Sequence, residues 1–208
     1  MLGVALALLA AAAPADAAPD RVEHRSLSDA VGLAVDYCSA TAFGQRASLD
    51  GRIAIFAYAE GALVDILRAQ GMQTTDDLPE LIKRFAATAQ NSSLFGHRDI
   101  IAIEAGDGLV WLLTTAEPQL CDIAITGIDQ ADSIPQSVSD AISSRPGWAA
   151  LQEGTDSAMW YASFILASED ESDNTPRARI TASGLTGELA RPEGIQSEIN
   201  FAASDQAD

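Results

Sequence analysis

Two cysteines, two histidines and 30 acidic side chains are the chemically versatile groups of this 208-residue chain, and their placement suggests oxidative pairing more strongly than catalysis. Cys38 closes the helical-looking run A-V-D-Y-C, and Cys121 lies in the strand-like run Q-L-C-D-I-A-I-T. Each falls on the core-facing position of its segment. In an exported chain with an even cysteine count, that arrangement predicts one disulfide, Cys38 to Cys121, joining the first helix to the third strand of a central sheet; the competing reading is two buried thiols.

Glu60 is the weak catalytic candidate. Ile53, Phe56, Leu63, Val64 and Leu67 recur at helical spacing, and the same spacing brings Glu60 onto their apolar stripe. A carboxylate there must be paired, protonated or lining a cavity. With a second carboxylate it would be sufficient for acid–base hydrolysis. The plainer reading puts Glu60 at the edge of the stripe in water, near Arg52 or Arg68. His97 falls in a polar connector and His24 close to the N-terminus. The acidic run from Glu169 to Asp173 lacks the glycine turn and ligand spacing of a calcium loop. No nucleophile elbow, H-E-x-x-H, phosphate-binding glycine loop or C-x-x-C occurs, so neither a metal site nor a cofactor is expected.

These groups need elements to hold them. The strongest local pattern runs from Ile100 to Thr126: two β-rich runs around G-D-G, a break at Pro118 and a third run, the signature of a three-stranded antiparallel meander. Ile101 and Ile103 share one face of its first strand, Trp111 and Leu113 alternate along the second, and Cys121, Ile123 and Ile125 alternate along the third. A first helix begins at Ser26, with Asp29 completing a variant capping box and Val31, Ala34, Val35 and Cys38 on one face. A second spans the stripe containing Glu60 and stops at Gly71. A third is announced by D-L-P-E, with Asp77 as its cap. Ile134 to Arg145 reads as a short amphipathic helix, ended by Pro146-Gly147. Two strands follow, one from Ser157 that is apolar on both faces and so suits a central or covered strand, and one from Arg177 that alternates and so suits a half-exposed one.

The chain opens with about a dozen apolar residues followed by Ala15-Asp16-Ala17, which fits an export signal cleaved after Ala17. That run is too short for a membrane span, which needs about 20 residues. The remaining 191 residues carry 12 basic and 29 acidic groups, a net of −17, and such a surface repels nucleic acid and anionic lipid. The expected organisation is a signal peptide over residues 1–17, a single α+β domain over 18–183, and a loosely attached tail over 184–208 rich in Gly, Pro, Glu and Gln.

The order of helix, meander, helix and two strands resembles that of type III secretion chaperones, which are small, acidic α+β proteins. The positions of Cys38 and Cys121 also resemble those in small secreted proteins of alphaproteobacteria, a resemblance that implies no active site. The resulting expectation is an exported α+β domain, α-α-α-β-β-β-α-β-β, with its helices on one face of a five-stranded, mainly antiparallel sheet. It would act as a non-catalytic envelope protein engaging a polypeptide or small apolar ligand. An envelope-modifying hydrolase using Glu60 with another carboxylate is the alternative, and a purely structural periplasmic role is the third reading.

Overall fold

The structure, a computed structural model, describes residues 25–45, 52–57, 62–85, 97–115, 120–168 and 175–204. Helix α1 (Leu27–Ala42) starts where expected: Ser26 Oγ accepts the Asp29 backbone N–H at 3.1 Å, satisfying one of the donors a helix start leaves unpaired. Its buried stripe is Ala30, Val31, Gly32, Ala34, Val35 and Cys38. β1 (Arg52–Ala57), α2 (Ala62–Ala69), the two-residue β2 (Gln73–Thr74) and a helical stretch over 80–85, α3, come next. The meander is β3 (His97–Ala105), β4 (Gly108–Thr115) and β5 (Leu120–Thr126), with Gly106 at φ +63° making the first turn. Helix α4 (Ile134–Ser143) leads to β6 (Trp148–Thr155), β7 (Met159–Leu166), β8 (Ala178–Leu185) and β9 (Ile195–Ala203).

The nine strands make one sheet in the order β2-β1-β3-β4-β5-β9-β8-β7-β6, antiparallel throughout except for the short parallel pair of β1 and β2. Helices α1 and α4 lie against each other and cover one face. Beneath them sits the main core, from Ile101, Leu112 and Ile123 across to Phe201, Ile180, Phe164 and Trp160. Arg145, just past α4, reaches α1: its Nε and Nη2 donate to the two Asp36 carboxylate oxygens at 2.6 and 2.8 Å. Its guanidinium also donates to the Ala141 carbonyl and passes so close to Gly32 that a Cβ there would collide with it. The opposite face carries a smaller core over β1, β3 and β4, where Ile82 and Leu78 pack with Phe56, Ile100, Trp111 and Leu113.

The predicted disulfide is present. Cys38 and Cys121 are bonded with Cα atoms 5.9 Å apart, both buried, and they tie α1 to β5. The α+β class also stands, but several details are corrected. There are nine strands among the described residues, not five, and helices pack on both faces, since Leu78, Ile82 and Phe85 belong to the second core. Residues 52–57, expected to begin the second helix, form β1, held by pairing with β3. Asp77 does not cap the third helix; its carboxylate accepts the Thr74 N–H at 2.9 Å and Arg68 Nη2 at 2.8 Å, clipping the loop after α2. His97 falls in β3, not in a connector. β7, expected to be central or covered, is flanked by β8 and β6 but open on one face: Met159 and Tyr161 are exposed while Trp160, Ala162 and Phe164 are buried. The expected loose tail contains β9, which pairs with β5 on one side and β8 on the other.

Candidate functional site

Alternation decides which side chains of β5, β9, β8 and β7 face away from α1 and α4. With Cys121, Ile123, Ile199, Phe201, Ile180, Ala182, Trp160 and Phe164 in the main core, the opposite face receives Asp122, Glu198, Asn200, Thr181, Ser183, Ser163, Tyr161 and Met159. Cross-strand register brings these into rows. Asp122 lies opposite Asn200, which lies opposite Thr181; Glu198 lies opposite Ser183, which lies opposite Tyr161. Next to the strongly apolar patch under α3, the sheet thus presents a polar field of carboxylates, amide and hydroxyls.

At one end of this field a groove of about 270 Å³ opens. Met159, Leu185 and Ile195 supply its apolar walls, and Ser183 and Glu198 its polar side. Gly184 and Gln196 are packed tightly beneath it: a Cβ on Gly184 would lie 2.5 Å from Trp160 Nε1 and closer still to the Gln196 carbonyl. Gln196 is fully buried and works as a clip. Its side-chain oxygen accepts the Ile128 N–H at 2.8 Å, and its Nε2 donates to the carbonyls of Ile128 at 2.7 Å and Ala190 at 3.2 Å. This fixes the start of β9, where the register shifts between Ile125 and Thr126, and so fixes the groove.

The carboxylates at this site are electrostatically perturbed. Asp122 has its pKa raised to about 6, first by burial and then by the charge of Glu198. Glu198 is itself raised by burial. Two neighbouring acids that hold their protons more tightly than ordinary carboxyls can accept a cationic or hydrogen-bonding group, and one of them titrates close to neutrality, as a general acid requires.

Glu60 lies outside the described residues, as do the Glu169 to Asp173 run and residues 1–24, which include the expected cleavage site. Among the described residues the acids brought together are Asp122 and Glu198. Asp122 is legible as the outward position of its strand; Glu198 is not, because its segment, rich in Gly, Pro, Glu and Gln, carries the composition of a loose tail. Among the described residues no group of three or more His, Cys, Asp or Glu could hold a metal ion, and no helix is long and apolar enough to cross a membrane. No protein-family model matches the chain, and no curated protein or solved structure matches it either.

Proposed function

We propose that this is an exported accessory protein of the cell envelope that acts by binding, with the outer-face groove as the place where part of a polypeptide or a small apolar ligand is received. The observation that carries this reading is the groove itself: three apolar walls with Glu198 at their polar side. Ligand sites are usually concave and mostly apolar, with a few convergent polar groups and volumes of roughly 300 to 1,000 Å³; at about 270 Å³ this groove lies just below that range and suits one side chain or a compact molecule. Export is supported by the Cys38–Cys121 bond, since such bonds persist in oxidising compartments, and by the apolar run ending in Ala15-Asp16-Ala17.

The test uses the neutral fluorophore N-phenyl-1-naphthylamine and the variant Ser183→Trp, which fills the groove from an outward-facing position. Saturable fluorescence enhancement with the natural chain, lost in Ser183→Trp at unchanged thermal midpoint, supports the groove as a ligand site. Enhancement that is absent, or the same in both chains, removes it.

The Asp122–Glu198 pair favours a second reading, an envelope-modifying hydrolase in which Asp122 delivers a proton. Turnover of chromogenic glycosides or esters that falls as pH rises through about 6 and disappears in Asp122→Asn would establish it in place of pure binding.

A further inference from the structure

Every strand of the sheet from β1 to β7 in spatial order has a neighbour on both sides; β6 ends the sheet at the far side and pairs only with β7 among the described residues. Five successive residues of β6, Ala149 to Glu153, are exposed. Trp148 anchors the start of the strand in the main core, and the exposed residues that follow leave its outer edge open to solvent. An edge of this kind carries a row of backbone donors and acceptors open to pairing, and proteins blunt such edges with charged side chains, Pro or bulges. Trp148 to Thr155 contains no Lys or Pro; a bulge at Leu151 and the single charge of Glu153 are what it has instead, and an acidic edge still admits a basic strand. Leu151, Met159 and Tyr161, all on the β6–β7 hairpin, are half of the large apolar side chains exposed among the described residues.

Charge selects the occupant. From Trp148 to Leu166, the β6–β7 hairpin, the sequence has no Lys, Arg or His, and its charged side chains are Glu153 and Asp156. Asp156, in the hairpin turn, is held ionised by the backbone N–H groups of Ala158 and Met159 at 2.8 and 2.9 Å, and Glu153 accepts Ser139 Oγ from α4. A second copy would bring a hairpin carrying the same acids, on a chain whose net charge is −17 after the expected cleavage. From the exposed edge, the apolar side chains and the uniformly acidic hairpin, we infer that β6 is a docking edge for an extended, basic segment of another polypeptide, which joins the sheet as one more antiparallel strand. Main-chain hydrogen bonds hold the segment, and its Lys or Arg side chains meet Glu153 and Asp156. The inference rests on the reading of this chain as a binder, but not on the groove.

The experiment uses two fluorescein-labelled nine-residue peptides, one alternating Lys and Val and one alternating Glu and Val, titrated with the full natural chain and followed by anisotropy and by hydrogen exchange. The expected result is saturable binding of the Lys/Val peptide that weakens as salt rises, new exchange protection at Ala149 to Glu153, no binding of the Glu/Val peptide, and at least tenfold weaker binding by Glu153→Lys and by Leu151→Lys. Both variants alter exposed side chains, and circular dichroism confirms their folding; if one fails to fold, the other with the protection map carries the test. Equal binding of both peptides, unchanged binding by the folded variants, or protection elsewhere overturns the inference. So does protection of β6 that grows with protein concentration alone, which identifies a second copy as the occupant. If Ser183→Trp abolishes peptide binding while Glu153→Lys preserves it, the groove reading survives and the edge falls; retained peptide binding with no saturable fluorophore binding does the reverse.

Discussion

Among the described residues Asp122 is the carboxyl whose environment departs furthest from that of a free one, and the sign of its effect on stability follows from the direction of its shift. Below about pH 4 it is protonated whether the chain is folded or not, so it contributes no pH dependence. Between its ordinary 3.8 and about 6 the unfolded chain ionises while the folded one keeps its proton, and stability falls as pH rises. Above about 6 the folded protein carries a partly buried charge beside Glu198, at a cost of roughly 2 to 3 kcal/mol if the whole shift is converted. Asp122→Asn is therefore expected to be more stable than the natural chain at pH 7.5, by about 1 to 2 kcal/mol after the loss of favourable contacts is allowed for. Urea unfolding from pH 4 to 8 checks this: the two curves should converge near pH 4, and a difference independent of pH would show that ionisation is not its cause. Glu198→Gln should give a smaller gain at pH 7.5, since Glu198 is the lesser of the two influences on Asp122. Gln196 acts in the opposite direction. Replacing it with Ala leaves the buried Ile128 N–H and two carbonyls without their partner, so Gln196→Ala should lose about 2 to 3 kcal/mol at every pH.

At the scale of elements, the Cys38–Cys121 bond joins the helix layer to the sheet across a sequence separation of 83. In the chain-entropy account, closing such a loop stabilises by about 4 to 5 kcal/mol. Reduction with dithiothreitol in denaturant, or the pair Cys38→Ala and Cys121→Ala, should lower the guanidinium midpoint accordingly, and two titratable thiols in unfolded, non-reduced protein would contradict the bond. This contact was legible because both cysteines occupy strong local patterns: the capped amphipathic α1 and the alternating β5. The same patterning revealed the meander and α4. The misread elements depend on distant pairing. β1 is only six residues long and gains its structure from β3, some 45 positions later, while its Ile53 and Phe56 also satisfy a helical spacing. β6, exposed for most of its length, has no alternation to read. β9 did hold a signal, Ile199 and Phe201 alternating with Glu198 and Asn200, but the polar Gln196 and Ser197 hid its start; both are buried because Gln196 clips the neighbouring loop and Ser197 Oγ donates to the Ser183 carbonyl at 3.0 Å. The acidic pair of the candidate site was lost with that strand, since sequence patterning finds one carboxylate at a time and Asp122 lies 76 residues from Glu198.

For the molecule as a whole, the position of β9 decides where the folding unit ends. It is the last strand among the described residues but sits inside the sheet, bonded along its length to β5 and β8. Without it, the meander under α1 and the β6–β7–β8 section under α4 have no shared ladder. The fully buried Ile199 and Phe201 would leave the core, with a loss of roughly 1.5 to 3 kcal/mol each in transfer free energy; two ladders of backbone hydrogen bonds and the Gln196 clip would go with them. A typical domain is stable by only about 5 to 15 kcal/mol, so these losses together exceed what such a fold can absorb. A chain ending at Thr186 is accordingly expected to remain unfolded at 25 °C, with no cooperative urea transition, whereas one ending at Ser204 should unfold at the same midpoint as the full chain. Far-ultraviolet circular dichroism during urea titration distinguishes them. A cooperative transition in the chain ending at Thr186, with the native dichroism retained, would show that β9 is an accessory strand added to a domain already complete without it.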